Sequence, residues 1–155
     1  MNPVIPDASV LLKWVLPPNH EPYVEQALCI RNALLAGDVE ILLPSLWYYE
    51  LGNTLARKYP DHADAILSSL MDMNMECIYP EQAWQAEIVH LVTNFQVTFY
   101  DAAYHALAIH RDGVFVTADE KYINKAHSAG HTLHLKDWHS VSSGCSGNGM
   151  EISFK

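Results

Sequence analysis

Positive charge is scarce in this sequence. Nine Lys and Arg stand against 18 Asp and Glu, a net charge of −9, which excludes a broad basic groove as the main source of affinity for a polyanion. Such a partner would have to be held by locally placed cations or by bound metal. Cysteine is scarce too. Cys29, Cys77 and Cys145 are an odd count without a C-x-x-C pair, which points to neither a disulfide framework nor a thiolate zinc site and suits a reducing, cytoplasmic compartment. Only 7 Gly and 8 Pro among 155 residues exclude collagen-like or linker sequence, and a composition 50% apolar and 17% charged excludes a disordered chain. Long apolar runs are missing as well. The stretch from Val10 to Leu16 follows Asp7, is interrupted by Lys13 and is closed by Pro17 and Pro18. It is too short and too charged for a membrane span, and no small-residue cleavage signal follows it. What these absences leave is a packed chain of a length that builds one sizeable core.

Five strand-sized apolar runs are present, at 4–5, 40–43, 76–78, 113–117 and 132–135. Between them lie segments of helical period at 9–16, 21–36, 45–59, 62–73, 81–95, 101–111 and 120–129, several bounded by Gly or Pro. This alternation predicts an α/β domain with a mostly parallel sheet covered on both faces, because parallel neighbours need crossover helices. Residues 1–139 are assigned to that domain. The stretch 140–155, SVSSGCSGNGMEISFK, is rich in Ser and Gly and is expected to be a flexible tail, with Met150 to Phe154 as a candidate edge strand.

Ligands of an open parallel sheet bind beyond the carboxyl ends of its strands. Asp7 stands there in VIPDASVLLKW, with Ser9 placed to cap the next helix, and Asp119 stands there in VTADEKY, two residues after Thr117. Glu50 lies inside a helical segment, PSLWYYELGNTLARKY, among apolar and aromatic neighbours, where a carboxylate needs a partner or a metal. Asp101 opens another helix in VTFYDAAYHALAIH, where its charge suits the positive end of the helix dipole. Each acid has an ordinary explanation alone, as a turn, cap or paired helix residue. Crowded into one crevice, the four would raise one another's pKa values, a conflict that a divalent cation removes. Oxygen-only ligands favour Mg²⁺ or Mn²⁺, the ions of phosphate chemistry.

The strings PDASVLLKW, PSLWYYELGNTL, YDAAYHALA and VTADEKY together resemble a PIN-domain nuclease, most closely the VapC-type toxins of prokaryotic toxin–antitoxin pairs, over about residues 3–138. The resemblance implies a three-layer fold with a five-stranded, mostly parallel sheet in the order 3-2-1-4-5 flanked by helices, and acids meeting between strands 1 and 4. Carried over position by position, it places the acidic quartet on Asp7, Glu50, Asp101 and Asp119, all intact, and the hydroxyls near the metal on Ser9 and Thr117. It implies a Mg²⁺- or Mn²⁺-dependent endoribonuclease acting as a toxin, an RNA substrate, a cognate antitoxin partner, a homodimer and no membrane association. The Ser/Gly stretch after Trp138 departs from typical members.

In that reading Asp7, Asp101 and Asp119 are direct or water-mediated ligands, and Glu50 orients the attacking water or holds a second ion. Asn53 and Arg57 follow Glu50 on one helix face. Arg57, Lys13, Lys121 and Lys125 are candidates for contact with substrate phosphates, although a solvated side chain is the simpler account of each. His105, four residues after Asp101, is more simply packed than catalytic. His127, His131, His134 and His139 are poorly spaced for zinc, because Gly130 breaks the helix between the first two. Two other readings remain open. A receiver-like phosphoacceptor would need an Asp after the third strand, where Tyr79-Pro80 stands. A non-catalytic RNA-binding or scaffold module would tolerate loss of the acids.

Overall fold

The computed structural model of the protein describes residues 2–139. The elements alternate along the chain as β1 (Val4–Pro6), α1 (Ala8–Val15), α2 (Val24–Ala36), β2 (Leu42–Pro44), α3 (Leu46–Lys58), α4 (Ala63–Met71), β3 (Glu76–Ile78), α5 (Gln82–Phe95), α6 (Phe99–His110), β4 (Val114–Thr117), α7 (Glu120–Ala126) and β5 (Thr132–His134), with short 3₁₀ turns at His127–Ala129 and Leu135–Asp137. Each run predicted as a strand or helix has its counterpart. Helix α2 begins three residues later than expected because Pro22 bars its predecessor from helical geometry, and Tyr23 enters the helix from the left-handed region at φ 64°. Gly37 ends the helix at φ 77°, with its N–H on the carbonyls of Ala33 and Leu34.

All strand pairs are parallel: Ile5 opposite Phe115, Phe115 opposite Thr132, and Leu43 opposite Cys77. Every residue of β1 and β4 is buried, and since side chains alternate between faces, both faces of the sheet centre are covered. The expected continuous five-stranded sheet is not formed. The ladders are β1-β4-β5 and β2-β3, joined by a single parallel bridge between Val4 and Ile41. The order 3-2-1-4-5 therefore survives as a spatial sequence but is thin at its centre. Val4 N–H donates to the Glu40 carbonyl at 2.8 Å, and the next donor on that edge of β1 is residue 6, a proline without an N–H.

The core runs through α6, where Ala102 to Ala108 are all buried, and α6 packs on α5, β1, β2 and β4. Gly113, leading into β4, allows a close backbone approach: a Cβ there would clash with the Pro3 carbonyl oxygen. Cys77 is a free, exposed thiol. No helix among the described residues is long and apolar enough to cross a membrane. The expected tail and edge strand at 140–155 lie outside the described residues.

Candidate active site

Three of the four candidate acids stand at helix N-termini, two of them where the chain leaves a strand of the β1-β4 pair. Asp7 follows β1, and its N–H donates to the Val116 carbonyl at 3.1 Å, which pins it beside the end of β4. Its side chain then caps α1, with Oδ1 accepting from the Ser9 N–H at 3.0 Å and the Val10 N–H at 3.4 Å. Asp119 follows β4 and caps α7, with Oδ1 accepting from the Tyr122 N–H at 3.1 Å. Asp101 sits in the first turn of α6, which Thr98 caps by accepting the Asp101 N–H at 3.1 Å. The helix ends thus turn their positive poles toward these carboxylates.

Two hydroxyls tie the strand ends together. Ser9 Oγ donates to Asp7 Oδ1 and Thr117 Oγ1 donates to Asp7 Oδ2, each at 2.5 Å. Ser9 Oγ also accepts from the Ala118 N–H at 3.1 Å, and Thr117 Oγ1 from the Asp119 N–H at 3.0 Å. Both oxygens of Asp7 are therefore engaged, in a network that spans β1 and β4. Glu50 comes from the second turn of α3, half-buried, and its Oε1 accepts from the Tyr104 hydroxyl at 2.6 Å.

The electrostatics show that the acids share one neighbourhood. Burial first, and the charge of Asp101 with it, lift the Asp7 carboxyl to about 6 against the Ser9 and Thr117 hydrogen bonds. Burial raises Glu50, the Tyr104 hydrogen bond lowers it, and Asp101 raises it again. Burial also raises Asp101, Thr98 offsets this, and Asp119 adds to it. Asp101 is thus the hub through which all four carboxylates repel. Such a set destabilises itself without a cation, and its donors are oxygens only, which fits a hard divalent ion.

Among the described residues, however, no group of three or more His, Cys, Asp or Glu side chains is close enough to cage a metal.

The PIN domain family model matches residues 4–128. The chain belongs to the PIN-domain family. No curated protein sequence matches this PIN domain closely enough to count as a relative. Solved structures share its fold. PAE2754 from Pyrobaculum aerophilum aligns with TM-score 0.59 and 19% identity over 87% of this chain and 85% of that one. VapBC2 from Rickettsia felis, bound to a DNA fragment from its promoter, aligns with TM-score 0.64 and 14% identity over 84% and 97%. FitAcB from Neisseria gonorrhoeae aligns with TM-score 0.60 and 14% identity over 79% and 92%.

The other candidates of this PIN domain divide into available and engaged groups. Asn53 and Arg57 are exposed on α3 and make no hydrogen bond or ion pair among the described residues, and Lys121 is likewise exposed after Asp119. Lys13 is buried and bonds Glu21 Oε2 at 3.0 Å, so its ammonium is withdrawn from substrate. Lys125 donates to the Gln96 carbonyl at 3.2 Å. His105 is fully buried, with Nε2–H donating to the Gly130 carbonyl at 2.7 Å and Nδ1 accepting from the Tyr122 hydroxyl at 2.8 Å. Burial depresses it to about 4, so it is a neutral strut between α6 and α7. His127 and His131 bond the carbonyls of Ile123 and Gly113, while His134 Nδ1 accepts from the Lys136 N–H. Tyr104 and Thr98 are the residues that sequence reasoning missed. Their signal was spacing: each lies three residues from Asp101, one turn away on α6.

Proposed function

We propose that this PIN domain is a metal-dependent endoribonuclease that acts as the toxin of a toxin–antitoxin pair. The carrying observation is that Asp7 and Asp119 follow β1 and β4 while Asp101, on α6, repels Asp7 and the α3 residue Glu50 and is itself repelled by Asp119. Four raised or partnered acids in one crevice are costly to an apoprotein and useful to one that binds Mg²⁺ or Mn²⁺. Asp7, Asp101 and Asp119 would hold the ion directly or through water, with Glu50 beside them. When bound, the ion supplies a nucleophilic water at neutral pH and neutralises charge on the phosphoryl group.

The chain's own residues do the rest. Ser9 and Thr117 hold both oxygens of Asp7 against the repulsion of Asp101. Glu50, fixed by Tyr104, orients the attacking water and accepts its proton. The product would carry a 5′-phosphate and leave a 3′-hydroxyl. Arg57 and Lys121 are the exposed cations proposed to meet the RNA backbone, with Asn53 in a supporting place between Glu50 and Arg57.

The toxin assignment is supported by the fold shared with VapBC2 and with a toxin–antitoxin complex from Klebsiella pneumoniae, the latter at TM-score 0.58 and 17% identity over 77% of this chain and 89% of that one. A cognate antitoxin and a homodimer follow from the same reading. For the homodimer we propose the face beside α3 and α6, where Phe99 and Tyr100 stand exposed at a groove also lined by Leu46, Ile78 and Trp84.

The deciding experiment incubates the purified protein with structured cellular RNAs in Mn²⁺ or Mg²⁺, with and without chelator, and maps the ends. Asp101→Asn is expected to lower the rate at least 100-fold, as roughly 3 kcal/mol of lost transition-state stabilisation would. Cleavage that survives both chelator and Asp101→Asn contradicts the mechanism. RNA binding without any cleavage would favour the scaffold reading instead.

A further inference from the structure

We propose that Tyr104 is the positioning residue that aims the Glu50 carboxylate into the acidic crevice. The inference rests on the nuclease reading above and adds a residue to it. Tyr104 stands three positions after Asp101 on α6, fully buried, in a run of side chains that are buried without exception from Ala102 to Ala108. A leucine or phenylalanine would serve packing there equally well. A buried phenol carries a polar atom that must be satisfied, and the hydrogen bond given to that atom goes to a carboxylate on another helix. The Tyr104 hydroxyl donates to Glu50 Oε1 at 2.6 Å, across 54 residues of chain.

Its geometry makes it a rigid donor. The Tyr104 ring stacks on Phe115 of β4, with centroids 6.0 Å apart and planes 21° from parallel. Phe115 in turn sits between Ile5 of β1 and Thr132 of β5 in the register of the central ladder. The hydroxyl is thus referenced to the strands whose ends carry Asp7 and Asp119. A phenol has one proton to give, so the bond is committed to Glu50.

Glu50 needs such an anchor. It is a long side chain with three rotatable torsions on a half-buried helix face, and repulsion from Asp101 acts on it. Unrestrained, it would swing toward solvent, where a charge is better hydrated. The bond holds it by Oε1, while Oε2 makes no hydrogen bond among the described residues and stays available to a water or a hydrated cation. Tyr104 therefore acts on the reaction through Glu50.

The test uses the full chain and Tyr104→Phe, which keeps the ring and its stacking and deletes the hydroxyl, alongside Glu50→Gln and the double variant. Two readouts are taken: kcat and KM for Mn²⁺-dependent RNA cleavage, and the rise in Tm caused by Mn²⁺ alone. Tyr104→Phe is expected to lower kcat about tenfold, the lower range for losing a hydrogen bond to a charged group, with KM changed less than about twofold. Its Mn²⁺-induced Tm rise should be smaller than the wild type's, while its Tm in chelator stays close. The double variant should lose no more than Glu50→Gln alone, because the hydroxyl has no other route to the reaction.

Wild-type kcat and a wild-type Mn²⁺ response in Tyr104→Phe would overturn the positioning role and leave the nuclease reading standing. So would losses that multiply in the double variant, or a defect confined to KM. A wild type that neither cleaves RNA nor responds to Mn²⁺ would overturn both readings.

Discussion

Replacing Asp7 by Asn should stabilise the metal-free protein at neutral pH while removing a group its proposed chemistry needs. Asn keeps an oxygen for the Ser9 and Val10 donors. Its Nδ2 can donate to Thr117 Oγ1, which already accepts from the Asp119 N–H and has a second lone pair. What is lost is the buried charge. Burial raises the Asp7 pKa from 3.8 to about 6, opposed by hydrogen bonds from Ser9, Thr117 and Val10 and reinforced by Asp101. Between those values the folded protein keeps a proton that the unfolded chain has released. Stability therefore falls as pH rises through that window, and the whole penalty acts above about pH 6.

The gap between 3.8 and about 6 corresponds to about 3 kcal/mol, or roughly 6–12 °C in Tm for a protein of this length. His105 runs the other way. Burial lowers it from 6.5 to about 4, so the unfolded chain binds the extra proton there and stability rises with pH between those values. The two slopes oppose each other, while the raised carboxyls of Glu50 and Asp101 add to the fall, so the wild-type curve in chelator should decline between about pH 4 and 6.5.

Thermal melts of wild type and Asp7→Asn, taken in chelator from pH 4 to 8, isolate the carboxylate as their difference. That difference should be small at pH 4 and reach about 6–12 °C in favour of the variant by pH 7.5. Saturating Mn²⁺ should narrow the gap by stabilising the wild type selectively. A pH-independent difference, or an Asp7→Asn protein less stable than wild type at pH 7.5, would refute the account of a strained acidic crevice.

Two further expectations concern the frame that carries the site. Gly113→Ala would push a Cβ against the Pro3 carbonyl and to 2.9 Å from Ile5 Cδ1, and should cost about 1–3 kcal/mol, read by urea denaturation. An unchanged midpoint would mean that β1 and β4 separate more easily than their register implies. His105→Ala should cost about 2–4 kcal/mol, because it opens a cavity and unpairs the Tyr122 hydroxyl and the Gly130 carbonyl. Cleavage per folded molecule should persist in that variant, and a rate collapse with an intact fold would make His105 a participant in the chemistry.

Local pattern was enough for the elements. Apolar runs of strand length separated by helical periods can satisfy their backbone and cover both faces only as a parallel α/β sheet, and the helix-capping preferences of Asp7 and Thr98 act within three residues of the chain. The acids could likewise be nominated because a carboxylate after an apolar run, or in an apolar helix, calls for an explanation wherever it occurs. Other features depend on partners that no local window contains. Whether β1 and β2 form a continuous ladder turned on the missing N–H of Pro6 meeting a particular neighbour. Lys13 was withdrawn by Glu21, while Arg57 was left in solvent, by the packing of helices. The raised Asp7 carboxyl comes from burial and from Asp101, 94 positions along the chain, and the anchor of Glu50 comes from a tyrosine that its own helix never meets in sequence. Propensity and period act over a few residues, whereas desolvation and Coulomb coupling act through space, and only the folded chain sets those distances.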